Sequence, residues 1–336
     1  MRQVTDIAQI REFLSGFPDI FLVYDRNLAR LASSVEGVCL ATKAIDATEA
    51  DKTMDSVLDI CRWLLKLGAD RGATLVALGG GITTDICGFA ASVYKRGIRF
   101  GFIPTTLLAQ VDAALGGKNG VNLDGYKNMI GVIREPAFTL ICPALLSTLP
   151  DREWRGGTAE LLKSFIIDNT GGHYEEAVDA LRHSWACEPR HSRACPGNLI
   201  LAAAAVKERI VAADLYEQGE RRKLNLGHTF AHAIERRARL SGLDISHGEA
   251  VAEGIILAAR VSERLSLAPA GLEERLRRDW EAVGLPADSP FPPAVLAADM
   301  AKDKKADGEK VHFVLIRAIG DVVTVPLTVP EVLDLL

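Results

Sequence analysis

The first half of the chain alternates strand-like apolar runs with helical segments. The apolar runs are IFLVYD, which ends at Asp25, then TLVALGGG and FGFIPTT; the segments DKTMDSVLDICRWLLKLGA and DICGFAASVYKRG between them have helical patterns. This alternation is typical of βαβ units and predicts a parallel sheet. Ligands of such sheets bind at the carboxyl ends of the strands, so we expect functional residues there.

The pattern changes at about Leu149–Pro150. Beyond this point EWRGGTAELLKSFII, GNLILAAAAVKERIVAAD, LNLGHTFAHAIERRARL and GEAVAEGIILAARVSERLSL have helical patterns, whereas KVHFVLIRAIGDVVTV has strand character. The stretch HSWACEPRHSRACPG is rich in proline, cysteine and charge, which predicts a surface loop. We therefore predict an α/β domain over residues 1–150 and a mainly α-helical domain over residues 151–336.

Composition and charge narrow the class of protein. With 39 Lys and Arg against 44 Asp and Glu, the net charge is −5, which disfavours nucleic acid as a partner. No apolar run reaches the roughly 20 residues of a membrane span, and the N-terminus lacks the form of a secretion signal. Six cysteines without a CxxC pair argue against a thiolate zinc site and against disulfides. We expect a cytoplasmic, folded protein with reduced thiols.

Three glycines, Gly79 to Gly81, follow the run TLVAL directly and precede a helical segment. Backbone N–H groups and the helix dipole at such a turn can bind a pyrophosphate. The sequence GGGITTD matches neither GxGxxG nor GxxxxGK[ST]. The same residues are compatible with a tight strand-to-helix turn capped by Thr83, Thr84 or Asp85. On this turn alone, nucleotide binding and a purely structural turn both stay open.

The motif HTFAH places His228 and His232 four residues apart on a predicted helix, so both imidazoles project from one face. A histidine pair of this kind is often structural, and the glutamate of an HExxH peptidase is absent, which disfavours zinc-dependent hydrolysis. His247, at the start of another predicted helix, and Glu160, in AELLK, could complete two histidines and one carboxylate with an open position, as in catalytic zinc sites. Sequence spacing leaves open whether these side chains converge.

Cationic and amide side chains accompany these motifs. Individually, each is most often a solvated surface group. In a chain of net negative charge, a cluster of them in one cleft would bind a small anion with phosphate or carboxylate groups. The side chains concerned are Arg96, Lys118, Lys127, Asn128, Lys163, Lys207, Arg221, Asn225, Lys304 and Lys305.

Taken together, these segments resemble the dehydroquinate synthase family of sugar phosphate cyclases. The similarity covers residues from about Glu49 to Gly320 and follows the family's order through GGGITTDICGF, YKRGIRF, IPTTLLAQVDAALGGKNGVN, YKNMIG, STLP, AELLK, VKERIVAAD, LNLGHTFAHAIE, HGEAVA and DKK. The resemblance implies a dehydroquinate synthase-like fold, with an N-terminal NAD-binding α/β domain and a C-terminal helical domain that binds metal and substrate. It also implies a cleft between the domains that holds NAD, metal and substrate, and a homodimer.

The resemblance also implies roles for individual residues. Glu160, His228 and His247 stand where the family places its ligands for Zn²⁺ or Co²⁺, and His232 matches a catalytic, substrate-binding histidine. Positions for NAD⁺ fall on Asp25, Asn27, Glu49, Lys52, Gly79, Gly80, Gly81, Asp85, Thr105, Thr106, Lys118, Lys127 and Thr148. Substrate and catalytic positions fall on Arg96, Lys118, Asn128, Lys163, Lys207, Arg221, Asn225 and one of Lys304 and Lys305, of which we take Lys305.

The activity implied is conversion of 3-deoxy-D-arabino-heptulosonate 7-phosphate, a phosphorylated sugar acid, to 3-dehydroquinate and phosphate in the shikimate route to aromatic amino acids. NAD would take a hydride from the C5 alcohol, whose pKa the metal would lower. The ketone acidifies C6–H, and loss of that proton expels phosphate, whose developing charge Lys118, Arg96 and Lys163 would stabilise. NADH would return the hydride before the ring opens and an internal aldol reaction closes the carbocycle.

Three positions depart from the family's common pattern. Thr84 stands where many members have glycine, Lys95 where methionine is frequent, and Asn119 where threonine is common. Thr84 and Lys95 match a subgroup of synthases, whereas Asn119 adjoins the cofactor and substrate lysine and bears on specificity. The alternative functions are another sugar phosphate cyclase of 2-deoxy-scyllo-inosose or valiolone type, a metal-dependent polyol dehydrogenase, and an inactive nucleotide-binding protein.

Overall fold

A computed structural model describes residues 1–186, 195–300, 306–307 and 310–336 of the chain. The chain divides into two compact units, Met1–Leu149 and Pro150–Leu336. In the described ranges, no helix combines the length and the apolar character that a membrane span requires. The predicted lysines Lys304 and Lys305 lie outside the described residues.

A parallel sheet organises the first unit. The strands of this unit are β1 (Arg2–Gln3), β2 (Ile20–Asp25), β3 (Ala41–Ile45), β4 (Thr74–Gly79), β5 (Arg99–Pro104), β6 (Lys118–Leu123), β7 (Tyr126–Ile133) and β8 (Phe138–Ile141). The helices of the unit are α1 (Ile7–Leu14), α2 (Ala29–Ser33), α3 (Met54–Lys66) and α4 (Gly81–Val93). Six strands form one sheet in the order β1, β8, β5, β4, β2, β3, with every neighbouring pair parallel. The predicted parallel sheet is confirmed.

Both faces of this sheet are covered by apolar side chains. On β2, Phe21 packs in one core and Leu22 in the other, and on β4 Leu75 and Val76 divide in the same way. Successive side chains of a strand point to opposite faces, so the two cores lie on opposite sides of the sheet. All residues of β4 are buried, which explains why TLVALG is a continuous apolar run without alternation.

Strands β2, β4 and β5 end at the same edge of the sheet. Tyr24 near the end of β2 pairs with Leu78 of β4, and Gly79 of β4 pairs with Pro104 of β5. The residues that follow these strands therefore share one edge, where ligands of parallel sheets bind.

The hairpin of β6 and β7 stands apart from the parallel sheet. Its strands are antiparallel, with Asn119 opposite Val132 and Gly120 opposite Gly131. Val132 packs against the same apolar core as α3 and α4, so one side of the hairpin is fixed to the unit.

The second unit is mainly helical, as the sequence predicts. Its helices are α5 (Asp151–Ile167), α6 (His173–Ala186), α7 (Gly197–Ala213), α8 (His228–Leu240), α9 (His247–Arg264), α10 (Leu272–Ala282), α11 (Pro293–Met300) and α12 (Val329–Asp334). Its strands are β9 (Ala306–Asp307), β10 (Lys310–Ala318) and β11 (Asp321–Thr328), which form an antiparallel sheet with β10 at the centre. The predicted strand character of KVHFVLIRAIGDVVTV corresponds to the β10–β11 hairpin.

The predicted surface loop HSWACEPRHSRACPG is wrong over its first residues. Helix α6 continues through His183–Ala186, and residues 187–194 lie outside the described part of the chain. The physical reason is an apolar stripe at helical spacing: Tyr174 and Leu181 are buried, and the ring of Trp185, one turn later, fills the space in front of Gly284. The stripe extends the helix beyond the point at which charge and cysteine predict a loop.

Candidate active site

Three helices of the second unit bring a carboxylate and two imidazoles together. Glu160 lies in α5, and His228 and His247 are the first residues of α8 and α9. Glu160 Oε1 is 3.7 Å from His228 Nε2 and 3.6 Å from His247 Nε2, and one ligand atom from each residue lies within 4.8 Å of the others. Glu160 is fully buried and the histidines are partly exposed, so the group is accessible from the histidine side. We call these three residues the metal group.

Close helix contacts explain how the metal group converges. A Cβ atom on Gly248 of α9 would overlap Gly156 of α5, and a Cβ atom on Gly254 of α9 would overlap the carbonyl of Gly227, which precedes α8. Gly227 also has a φ of 77°, a left-handed conformation that favours glycine. Because these contacts carry no side chain, α9 approaches both α5 and α8, and the three ligand side chains meet.

A capping box fixes the start of α9. The Ser246 hydroxyl accepts a hydrogen bond from the backbone N–H of Glu249, and the Glu249 carboxylate accepts one from the backbone N–H of Ser246 at 2.9 Å. This reciprocal pair satisfies two donors at the helix terminus. It also sets the position of His247, which lies between the two residues.

Hydrogen-bond acceptors lie beside Nδ1 of both histidines. The carbonyl oxygen of Leu226 is 3.1 Å from His228 Nδ1, and Glu235 Oε1 is 3.5 Å from His247 Nδ1. A carbonyl oxygen only accepts, so Nδ1 of His228 carries the proton and its Nε2 presents a lone pair. Sequence reasoning missed Glu235, although its position in HTFAHAIE, two helical turns after His228, is a signal that could have identified it.

The electrostatics of the metal group favour a cation. Oε1 of Glu160 is buried and has no hydrogen-bond partner within the described residues. Burial lowers the pKa of His247, but interactions with Glu160 and Glu235 outweigh it and raise that pKa to about 10. Two histidines and one carboxylate are a donor set that Zn²⁺ takes with a fourth position open. The residues present therefore fit a zinc-type metal centre.

Two further predicted residues lie beside the metal group. Lys163, one turn after Glu160 in α5, is 1% exposed and forms an ion pair with Glu160 Oε2. His232, one turn after His228 in α8, is exposed, and its ring centroid is 5.8 Å from that of His228. The ion pair neutralises one carboxylate oxygen, and the other oxygen faces the histidines.

The remaining predicted substrate residues of this unit lie on α7 and in the 3₁₀ helix Glu220–Asn225 before α8. Lys207 is 8% exposed and Arg221 is 2% exposed. The Asn225 side-chain amide donates to Glu217 Oε1 at 2.5 Å. Cationic side chains can bind phosphate and carboxylate groups through charge-assisted hydrogen bonds, so the residue types of this region are compatible with an anionic ligand.

In the first unit, a chain of polar contacts joins four predicted residues. Lys52 Nζ is 2.5 Å from Asp85 Oδ2 and 2.6 Å from Asn128 Oδ1. The Asn128 backbone N–H donates to Asn122 Oδ1 at 2.9 Å, and Asn122 Nδ2 donates to Glu49 Oε1 at 2.9 Å. The structure thus connects predicted cofactor residues with the predicted substrate residue Asn128. Sequence reasoning missed Asn122, which links the two ends of this chain.

The glycine turn after β4 begins helix α4 with Gly80 as its N-cap and no side-chain cap. The alternative in which Thr83, Thr84 or Asp85 caps this helix is therefore wrong. Thr84 donates its hydroxyl to the carbonyl of Gly81 at 2.9 Å, and Asp85 pairs with Lys52. Without a side-chain cap, the first N–H groups of α4 lack the partner that a cap would provide, an arrangement that suits a phosphate.

Other predicted cofactor residues follow the neighbouring strands. Asp25 Oδ1 accepts hydrogen bonds from the backbone and side-chain amides of Asn27 at 3.0 and 3.1 Å. Thr105 is buried, and its backbone N–H donates to Gly79 O at 3.0 Å. The side chain of Thr106 lies against Gly80, and a Cβ atom there would lie 3.0 Å from the Thr106 methyl group, a tight contact. These residues share the carboxyl edge of β2, β4 and β5.

Seven predicted residues of the first unit are exposed: Asn27, Glu49, Arg96, Lys118, Lys127, Asn128 and Thr148. Arg96 has a φ of 69° and follows Lys95, whose φ is 49°. Lys95 Nζ donates to the carbonyl of Ala69 at 2.7 Å, so this departure from the family pattern anchors the turn. Within the first unit, no hydrogen bond or ion pair joins Arg96 to the residues around Lys52.

The departure at Asn119 is also used inside the fold. Asn119 is 4% exposed, and its Nδ2 donates to Gly117 O at 2.8 Å and to Arg134 O at 2.9 Å. Its Oδ1 fills the space in front of Gly88 of α4. The side chain therefore fixes the base of the β6–β7 hairpin next to Lys118, and its effect on a ligand acts through the position of that lysine.

The fold and the metal group define a class of protein with an α/β domain and a helical domain whose residues can hold a metal ion. Residues 42–156 match the family model described as 3-dehydroquinate synthase N-terminal, and residues 157–306 match the model described as 3-dehydroquinate synthase C-terminal. The chain belongs to the 3-dehydroquinate synthase family, which confirms the resemblance seen in the sequence.

Individual relatives agree with this assignment. The 3-dehydroquinate synthase of Acidithiobacillus ferrooxidans is 40% identical over 332 residues, which cover 95% of this chain and 88% of that protein. A solved structure of 2-epi-5-epi-valiolone synthase from Streptomyces hygroscopicus subsp. jinggangensis with NAD⁺ and Zn²⁺ bound has a TM-score of 0.85 at 28% identity and covers 99% of this chain and 94% of its own. A 2-deoxy-scyllo-inosose synthase complexed with carbaglucose-6-phosphate, NAD⁺ and Co²⁺ has a TM-score of 0.85 at 25% identity, over 99% and 95% of the two chains.

Proposed function

We propose that this chain is a 3-dehydroquinate synthase, a lyase that converts 3-deoxy-D-arabino-heptulosonate 7-phosphate to 3-dehydroquinate and phosphate in the shikimate pathway. The observation that carries the proposal is the metal group of Glu160, His228 and His247 with the buried cation Lys163 beside it, in a chain of this family. The hydride taken from the substrate is returned to it, so the reaction consumes no net oxidant.

The metal group would hold Zn²⁺ or Co²⁺, the ions bound in the two related structures. When bound, such an ion polarises a substrate hydroxyl as a Lewis acid. Lys163 would orient the Glu160 carboxylate through its ion pair, and an ammonium group has further N–H donors with which it would contact the anionic substrate. His232 is exposed one turn beyond His228, where its imidazole can exchange a proton with a bound substrate.

NAD⁺ would bind along the carboxyl edge of β2, β4 and β5, with its pyrophosphate at the uncapped N-terminus of α4. When bound, it supplies a hydride acceptor. The polar contacts of Lys52 hold Asp85 and Asn128 in place and keep the Asp85 carboxylate neutralised near the pyrophosphate. The residues proposed to contact it are Asp25, Asn27, Glu49, Lys52, Gly79, Gly80, Gly81, Asp85, Thr105, Thr106, Lys118, Lys127 and Thr148.

The substrate carries a carboxylate and a phosphate, both of which require cationic partners. Lys163, Lys207 and Arg221 are cationic side chains of the kind that bind carboxylate and phosphate groups through charge-assisted hydrogen bonds, which suits such a dianionic ligand better than a neutral polyol. We propose that Arg96, Lys118, Asn128, Asn225 and Lys305 complete the set. Identity also favours this substrate over those of related cyclases, since the synthase from Acidithiobacillus ferrooxidans is 40% identical and the two cyclase structures are 28% and 25% identical.

We further propose that residues 1–150 bind NAD⁺, that residues 151–336 bind metal and substrate, and that the protein is a homodimer. Four large apolar residues of the β6–β7 hairpin are between 39% and 59% exposed: Leu123, Tyr126, Met129 and Ile133. Apolar side chains grouped on one hairpin favour burial against another protein surface, and a second copy of this chain is the commonest such partner. The five described cysteines are free thiols, which supports the reducing cytoplasm as the location.

Phosphate release from 3-deoxy-D-arabino-heptulosonate 7-phosphate, with Zn²⁺ and substoichiometric NAD⁺, tests the proposed reaction. We expect many turnovers per NAD⁺ without accumulation of NADH. Net NADH without phosphate would instead identify a dehydrogenase. A Zn²⁺-loaded protein that produces neither signal would contradict the proposed substrate and direct the assay to other phosphorylated sugars.

A further inference from the structure

The carboxylate of Glu235 links two helices behind the metal group. Glu235 lies on α8 two helical turns after His228, and its side chain is 9% exposed. Its Oε1 is 3.5 Å from Nδ1 of His247, which is the first residue of α9. The opposite ring nitrogen of His247, Nε2, is 3.6 Å from Glu160 Oε1. One imidazole therefore lies between two carboxylates, one inside the metal group and one behind it.

The two histidines of the metal group differ in the acceptor behind them. His228 has the neutral carbonyl of Leu226 at 3.1 Å from Nδ1, whereas His247 has the charged carboxylate of Glu235. A carboxylate behind a metal-binding imidazole fixes its tautomer and ring orientation and strengthens the far nitrogen as an electron-pair donor. His247 is partly exposed at the start of α9, where the capping box fixes its backbone. Glu235, 3.5 Å from Nδ1, is placed to fix its ring.

We propose that Glu235 is a positioning residue for the metal centre, which holds His247 with a proton on Nδ1 and a lone pair on Nε2. This inference rests on the metal-binding part of the proposed function. The segment HTFAHAIE would then have three functional residues. His228 is a ligand, His232 presents an exposed imidazole, and Glu235 supports the ring of His247, a ligand on another helix.

The test measures metal binding by the full chain without substrate or NAD⁺. Protein stripped with a chelator is titrated with Zn²⁺ against a chromophoric chelator, and the Co²⁺ form is examined by visible absorption. Glu235→Ala should weaken Zn²⁺ binding about 10- to 100-fold and change the Co²⁺ spectrum. Glu235→Gln, which keeps an acceptor oxygen but loses the charge, should recover part of the affinity. Glu274→Gln on α10, an exposed glutamate, is the control and should bind like the parent chain.

Thermal unfolding of each metal-free variant separates positioning from a merely structural role. Unchanged metal-free stability with the graded loss of affinity supports the inference. Zn²⁺ affinity of Glu235→Ala within twofold of the parent overturns it, as does a loss of affinity accompanied by a comparable loss of metal-free stability. Failure of the parent chain to bind Zn²⁺ would overturn the inference together with the metal-binding proposal. Zn²⁺ binding without phosphate release would overturn the proposed reaction and leave this inference standing.

Discussion

Gly248 of α9 packs against Gly156 of α5 so closely that a Cβ atom on Gly248 would overlap the backbone of Gly156. The reverse is not true, because a Cβ atom on Gly156 would meet no described atom within 4 Å apart from its chain neighbours and the backbone of its own helix. The contact is therefore asymmetric, and packing requires only one of the two glycines. It lies one residue after His247 and one turn before Glu160, so it controls the separation of two ligands in the metal group.

Gly248→Ala is expected to push α9 away from α5. Overpacking of this kind lowers the free energy of unfolding by about 1–3 kcal/mol, and Zn²⁺ binding should weaken about tenfold or more, since displaced ligands no longer converge. Gly156→Ala is the matched control and should keep Zn²⁺ affinity while raising stability by roughly 0.5–1 kcal/mol, because alanine is the better helix former. Chelator competition and urea unfolding measure both effects. Equal Zn²⁺ affinities for the two variants would contradict this account of the contact.

His228→Ala and His232→Ala should separate ligation from proton transfer. The first removes a member of the metal group, so metal content and activity should fall together. The second removes an exposed imidazole whose ring centroid is 5.8 Å from that of His228, so the metal should stay while the rate falls about 10²- to 10⁴-fold. Elemental analysis and phosphate release give the two readouts. A metal-free His232 variant would show that the assignment of ligands is wrong.

Lys52→Met should weaken NAD⁺ binding about tenfold or more. Lys52 is 6% exposed and neutralises Asp85 beside the N-terminus of α4, so its loss leaves a carboxylate that repels a pyrophosphate. Lys43→Met, which removes an ion pair with the exposed Asp59, is the control and should change little. Calorimetric titration of the purified variants with NAD⁺ provides the comparison. Equal NAD⁺ affinities of the Lys52→Met and Lys43→Met variants would show that Lys52 does not contribute to the cofactor site.

Glu253→Gln should make the protein more stable at alkaline pH. Burial raises the pKa of Glu253 from 4.5 to about 8, and a hydrogen bond from Ser289 acts in the opposite direction. The folded chain therefore keeps a proton that the unfolded chain loses above pH 4.5, so this group's stabilisation is complete below that pH and is lost as pH rises through 8. The slope approaches 1.4 kcal/mol per pH unit at most.

Urea unfolding of the parent chain and of Glu253→Gln at pH 5.5 and pH 8.5 isolates this group, because other titrations cancel in the difference between the two proteins. The stability difference should favour the glutamine variant increasingly as pH rises. A difference that stays constant between the two pH values would show that Glu253 ionises normally in the fold.

The sheet and its functional edge follow from local pattern alone. Continuous apolar runs such as TLVALG mark strands buried on both faces, and the parallel arrangement brings Asp25 and the glycine turn to one edge. The prediction of a loop from His183 is wrong because the apolar stripe of α6 continues to Trp185, whereas proline and charge in the same stretch are typical of a loop. Local composition indicates only which residues prefer solvent. The last turn of α6 is held by the contact of Trp185 with Gly284, a residue distant in sequence, which local composition does not reveal.

The metal group lay beyond what spacing could establish. Glu160, His228 and His247 come from three helices, and their convergence depends on glycine contacts between those helices, which no periodicity reveals. The family resemblance supplied the assignment that spacing left open. Asn122 and Glu235 were missed because each acts on another side chain through a contact that forms only in the fold.

Asn119 and Gly88 restrict the order in which this chain can change. The Asn119 amide occupies the volume that a side chain at position 88 would need, while the same amide fixes the hairpin through Gly117 and Arg134. A residue larger than glycine at position 88 is therefore accessible only after position 119 has become smaller. The neighbourhood of Lys118 thus evolves by ordered pairs of substitutions, with the strand changing before the helix.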